Sequence, residues 1–198
     1  ERQKLIHCII LTGIIFFFAC SGSKAPTDTD GRPLILKIGT IDCDLVETTP
    51  VVFEDKVYRF EYVRLGYWNN STGDSWFRFV DHKTGETTQP FAKGFHFGNA
   101  FVNKDSVYVT AVDIWDGERV FIFSSGDLKN WDRRLAFELP GYGIFNTSLT
   151  KAENNFVLMF EIGKPEEVAG VRFTARFATS SDLWNWEILP ADRNYAKD

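Results

Sequence analysis

Two carboxylates end runs that are otherwise largely apolar: Glu61 after Val57-Tyr58-Arg59-Phe60, and Glu161 after Phe156-Val157-Leu158-Met159-Phe160. A carboxylate at the end of an apolar strand needs a partner or water. Either it moves a proton at a site, or it pairs with an arginine such as Arg59, Arg64 or Arg172 and is structural. Asn99 and Asn146 stand at the start of neighbouring runs, where an amide can present donor and acceptor to a ligand or cap the turn that enters the strand. His96 sits between Phe95 and Phe97, a setting that suits a half-buried imidazole as well as a site residue. Trp68, Trp115 and Tyr142 fall in loop-like segments, where a ring stacks on a ligand or covers a sheet edge. No Cys/His cluster has zinc spacing, so neither a metal nor another cofactor is expected.

The elements that must position these groups are strands. Ser180-Ser181-Asp182-Leu183-Trp184-Asn185-Trp186 has a twin in Ser125-Gly126-Asp127-Leu128-Lys129-Asn130-Trp131, with Asp, Leu, Asn and Trp recurring 55 residues apart. Each copy follows an alternating aromatic run and leads into another apolar stretch, which reads as strand, turn, strand. Asp accepts from the backbone N–H groups just after it, Asn tolerates the left-handed conformation, and Leu and Trp fold back onto the sheet. Thr49 to Tyr62 aligns without a gap on Asn99 to Val112 at an offset of 50. A third copy, Asn146 to Glu161, carries a slightly longer turn through Lys151 to Asn154. In this alignment Asn99 and Asn146 lead corresponding strands, and Glu61, Ala111 and Glu161 share one position. Trp131 and Trp186 are expected to be buried at matching places. Units of about fifty residues in an all-β pattern are the size of propeller blades, and no sustained helical period appears after the N-terminus. The expected fold is all-β, a partial β-propeller of three blades over 34–198.

Nineteen Phe, six Trp and six Tyr among 198 residues suit a sheet protein, and a net charge of −5 without a basic stripe argues against a nucleic-acid partner. Arg2 and Lys4 precede an apolar run from Ile9 to Ala19, shorter than the roughly twenty residues of a spanning helix and shaped like a secretory signal, with an uncleaved anchor as the alternative. Phe17-Phe18-Ala19-Cys20 resembles the lipobox of bacterial lipoproteins, which implies cleavage before Cys20 and lipid attachment to it. Residues 1–20 then form the signal and 21–33, rich in Ser, Thr, Asp, Gly and Pro, a flexible tether. The expected location is the bacterial cell envelope, periplasmic or at the cell surface. Cys43 is the one remaining thiol of the mature chain, so no disulfide framework is expected.

Tyr or Phe pairs after a short acidic turn, followed by Ser-x-Asp-Leu-x-Asn-Trp on an outer hairpin, resemble the five-bladed β-propeller glycoside hydrolases of the arabinanase and β-xylosidase group. The resemblance covers roughly residues 40–198. It implies that three of five blades are present, so the chain reads as an N-terminal piece of a longer protein, monomeric when complete. It also implies an oligosaccharide or polysaccharide in a central cavity and carboxylates projected from innermost strands. Inverting glycoside cleavage uses one carboxylic acid on the leaving oxygen and one carboxylate on water. The family's base is an Asp at the start of the first innermost strand, just before a Pro. Here that stretch reads Glu47-Thr48-Thr49-Pro50, so Glu47 is the nearest match, with Asp42 and Asp44 upstream and Glu161 as a further carboxyl. The family's general acid, a Glu, belongs to a later blade. Asn99, Asn146, His96 and Trp115 are the expected sugar contacts. Two functions follow: a glycoside hydrolase, or a glycan-binding propeller with an altered carboxylate set.

Overall fold

The protein is described by a computed structural model that covers residues 26–32, 34, 44–66 and 74–193. The chain divides into a unit over 1–41 and a unit over 42–198. In the first unit, Asp28 closes a small turn by accepting from the amides of Asp30 and Arg32 at 2.9 and 2.8 Å. Asp42, Cys20 and Trp68 lie outside the described residues.

The second unit is three antiparallel sheets in succession. The first contains β1 (Leu45–Phe53), β2 (Lys56–Arg64) and β3 (Ser75–Asp81), and the second β4 (His96–Asn103), β5 (Ser106–Val112), β6 (Arg119–Ser125) and β7 (Asp132–Glu138). The third contains β8 (Gly143–Lys151), β9 (Phe156–Lys164), β10 (Thr174–Ser180) and β11 (Glu187–Ile188). A fourth strand of the first sheet is reduced to two bridges, Phe77 with Phe91 and Val80 with Thr87. Helix is confined to α1 (Glu166–Ala169) and a 3-10 turn at Ala191–Arg193 among the described residues. Each sheet runs in simple meander order, and the innermost strands β1, β4 and β8 lie beside one another. That is the packing of propeller blades around an axis.

Alternation fixes which side chains meet between blades. Phe60 and Tyr62 of β2 and their cross-strand neighbours Phe79 and Phe77 face the second sheet, which answers with Phe95, Phe97, Ala100, Val107, Val109 and Ala111. From the other side of the second sheet, Phe101 meets Phe156 and Phe137 meets Phe160 of the third. Burying a side chain of this size contributes about 1.5–3 kcal/mol. The aromatic composition is thus the inter-blade filling.

The two Asp-Leu-x-Asn-Trp turns are built alike. Oδ1 of Asp127 accepts from the amides of Lys129 and Asn130 at 2.8 Å, and Asp182 does the same for Trp184 and Asn185. The left-handed residue of each turn is the leucine, not the asparagine: φ is +58° at Leu128 and +70° at Leu183. A non-glycine residue in that region is strained, and burial offsets it, leaving Leu128 4% and Leu183 2% exposed. Trp131 and Trp186, expected to be buried at matching places, are both half-buried against the core at the same position of their turns. Trp131 stacks on Phe91 at 3.9 Å between ring centres.

The third hairpin corrects the repeat alignment. Lys151 pairs with Phe156, and Ala152 donates to the Asn155 carbonyl, so the turn residues are Glu153-Asn154, a loop no longer than Glu54-Asp55 and Lys104-Asp105. The third repeat therefore follows the second by 49 residues, one fewer than separates the first two. Glu161 corresponds to Val112 and Tyr62, while Glu61 corresponds to Ala111 and Phe160. Asn146 corresponds to Phe97 and Glu47, not to Asn99.

Candidate functional site

Every innermost strand is irregular at the same end. Register breaks fall between Leu45 and Glu47 in β1, between His96 and Asn99 in β4, and between Phe145 and Thr147 in β8. Bulges re-aim side chains that a regular strand would send to alternate faces. Phe97, inside the second bulge, has φ +57°. Glu47, Phe97 and Asn146 are the equivalent residues presented at these three strand starts.

Glu47 pairs across the strand with Tyr62. Its carboxyl is pushed up to about 7, first by burial and then by the nearby negative charge of Glu161, with the Arg64 guanidinium pulling the other way. The Glu161 carboxyl is also raised by burial, against a hydrogen bond of 2.8 Å from Nδ2 of Asn146 to its Oε2. Two carboxyls from the first and third blades thus share one electrostatic environment.

Arg64, at the end of β2, is buried, and its guanidinium lies 4.4 Å from the centre of the Trp115 ring. Its charge acts on the Tyr62 hydroxyl, which lies 2.5 Å from Nδ1 of His96. Burial raises the Tyr62 phenol well above its ordinary value and lowers the His96 imidazole to about 4, with Arg64 adding to the second effect. His96 is therefore neutral at physiological pH. Trp115 completes the enclosure against Phe97 at 4.9 Å and Phe145 at 6.1 Å between ring centres.

Of the residues singled out from the sequence, Glu47, Glu161, Asn146, His96 and Trp115 fall at this axial end, linked through Arg64 and Tyr62. Asn99 does not: Nδ2 donates to Thr49 Oγ1 and Oδ1 accepts from the Leu149 amide, each at 3.1 Å, stitching three innermost strands together. Glu61 points away from the second sheet, with Arg59 at 2.6 Å and Arg78 at 2.7 Å, the structural pairing that its surroundings left open. Asp44 accepts from the Gly66 amide at 3.2 Å and closes the base of the first hairpin. Tyr142 packs against the core. Arg64 was legible only as a partner for a glutamate, and Tyr62 not at all. Among the described residues no cluster of His, Cys, Asp or Glu could hold a metal ion.

Such a site can hold and pass a proton at Glu47, which is close to half-ionised at neutral pH, and the fixed cation opposes the loss of charge. One side of it is a wall of aromatic rings, Trp115, Phe97 and Phe145.

No family model matches the chain, and no curated protein matches it. Solved structures do. An α-L-arabinofuranosidase from Fusarium graminearum, complexed with an iminosugar inhibitor, superposes with a TM-score of 0.57 at 14% identity over 79% of this chain and 50% of that one. An α-L-arabinanase from Penicillium chrysogenum, complexed with arabinobiose, gives 0.55 at 14% identity over 73% and 49%. A β-fructofuranosidase of glycoside hydrolase family 32 from Bombyx mori gives 0.53 at 15% identity over 74% and 34%. The chain spans about half the length of the first two and a third of the last. At this identity the likeness is one of fold. The described residues form three blades of the β-propeller fold found in these glycoside hydrolases.

Proposed function

We propose that the chain supplies the first blades of a glycan-processing protein of glycoside hydrolase type, in which Glu47 activates water at the axial end of the propeller. The observation that carries this is the convergence of Glu47 and Glu161 from two blades beside the buried Arg64. Proton transfer by a positioned group is most effective when its pKa lies near the working pH. Burial brings Glu47 there, and ionised Glu47 would take a proton from water while Arg64 limits the charge penalty. Asn146 orients Glu161, which holds Glu47 from ionising too early. The acid that protonates the leaving oxygen would come from a further blade.

The experiment is turnover of linear arabinan and aryl glycosides by the full-length protein and by Glu47→Gln. Loss of the base is expected to lower turnover about 10²–10⁴-fold with little change in glycan affinity. Unchanged turnover in Glu47→Gln would overturn the assignment. A second reading, glycan capture without cleavage, is favoured by Phe97 and Asn146 at the positions equivalent to Glu47, since neither side chain can exchange a proton. It predicts binding with no turnover in either protein.

The proposal extends to location. Residues 1–20 act as a lipoprotein signal and Cys20 carries the lipid, since two acyl chains anchor stably where one holds marginally. Labelled fatty acid should enter the wild type and not Cys20→Ser; equal labelling would rule this out.

A further inference from the structure

The motif turns leave one residue unexplained. Lys129 and Trp184 occupy the variable position of Asp-Leu-x-Asn-Trp, and neither side chain is needed to form the turn. Trp184 nevertheless reaches the second blade. Its ring lies 5.9 Å from that of Tyr108, and the Arg134 guanidinium sits 4.5 Å from the ring centre on a neighbouring strand, holding it in place.

Beneath Trp184 runs a row of polar groups set by sheet register. Tyr108 pairs with Ser124, and Ser124 pairs with Asp132, so their side chains share the face turned to the third blade. This row and Trp184 line a concavity of 440 Å³. A second, of 610 Å³, adjoins it and shares Ser106 and Tyr108. Both lie at the hairpin-turn end of the sheets, beside Lys104-Asp105 and Glu153-Asn154, whereas Glu47, His96 and Asn146 lie at the opposite ends of their strands.

We propose that this groove is a second glycan-binding site, separate from the axial one, for a neutral sugar chain. Sugars offer an apolar C–H face and vicinal hydroxyls. The first suits an aromatic wall held at a fixed angle, and the second suits the Asp132 carboxylate that ends a row of two hydroxyls, Ser124 and Tyr108. The 440 Å³ concavity is lined by Asp127 and Asp132 and by no lysine or arginine, and the adjoining one sets Lys104 and Lys151 against Asp105, Glu153 and Asp182, so the groove has no excess of positive charge to hold an anionic polysaccharide. Its size is that of a small-molecule pocket. Such a site would keep a polymer on the protein between encounters with the axial site. It rests on the reading that the protein handles glycans, but not on the axial carboxylates.

The test is affinity electrophoresis of the full-length protein through gels containing linear arabinan, neutral xylan or polygalacturonate, in the Glu47→Gln background so that no polymer is consumed. Retardation by a neutral polymer and none by polygalacturonate is expected. Trp184→Ala should weaken the retardation roughly tenfold, the loss of about one stacking contact. Because Trp184→Ala also removes packing, Tyr108→Phe and Asp132→Asn, which keep shape, should each weaken it too. Full retardation in these two variants, or none of the wild type in any neutral polymer, overturns the proposal. The two sites fail separately: turnover lost in Glu47→Gln with unaltered rim variants removes the groove alone, and rim-dependent retardation without turnover removes the axial chemistry alone.

Discussion

The Tyr62 hydroxyl on the first blade lies 2.5 Å from Nδ1 of His96 on the second, where burial keeps the phenol protonated and the imidazole neutral. With both groups neutral, the arrangement expected is the phenol donating to Nδ1 and the imidazole proton on Nε2. Nitrogen-15 spectra of the histidines should show His96 as the Nε2–H tautomer, with no protonation until the pH falls to about 4. Tyr62→Phe should release Nδ1 and let both tautomers appear. A His96 that titrates near its ordinary value in the wild type would overturn this arrangement.

Glu47 should make stability fall as pH rises. Its folded pKa of about 7 lies above the value of 4.5 for a free glutamate, so between those limits the folded state binds the proton that the unfolded state has released. The stabilisation is complete below 4.5 and lost through 7, on the order of 2–3 kcal/mol. Glu47→Gln removes this slope, so denaturation midpoints of the variant should exceed wild type at pH 8 and match it at pH 4. His96 runs the other way: its depressed pKa gives stability that is present above its unfolded value and lost as pH falls toward 4. A fall in stability with rising pH that survives Glu47→Gln would show that another group carries it.

Glu61 is the control for Glu47. It is fully buried between Arg59 and Arg78, away from the axial end. Glu61→Gln should cost about 1–3 kcal/mol in urea denaturation while leaving any turnover and the His96 tautomer unchanged. A catalytic defect in a folded Glu61→Gln protein would place that carboxylate in the site after all.

Gly98 tests the contact between the first two blades. A Cβ there would meet Cζ of Phe77 at 2.6 Å and Cζ of Phe60 at 3.0 Å. Those rings are fully buried and have nowhere to move, so Gly98→Ala should destabilise by about 1–3 kcal/mol. An alanine variant as stable as wild type would mean that the rings repack freely.

The sequence exposed the blades more readily than the site. The alternating runs, the acidic two-residue turns and the paired Asp-Leu-x-Asn-Trp motif all act locally, so they can be recognised without knowing what packs on them. Side-chain direction is less forgiving, because a strand has a period of two and a slip of one residue turns every group to the other face. Reading the third repeat at 50 in place of 49 put Glu61 and Glu161 together, although one faces the outer side of its sheet and the other the axial end. Arg64 and Tyr62 escaped for a different reason. Their roles depend on Trp115 and His96 of another blade, contacts between residues far apart in the chain that no local pattern records.

The Asn99 amide, bonded to Thr49 on one side and to the Leu149 backbone on the other, ties the dynamics of three blades to a single side chain. In a row of independent modules, each could fray without notifying the next. Here, pulling any one innermost strand out of line breaks a bond at its neighbour, so fluctuations that open the arc must be collective. Slow amide exchange at Leu149 would then report the integrity of the second blade as much as that of its own.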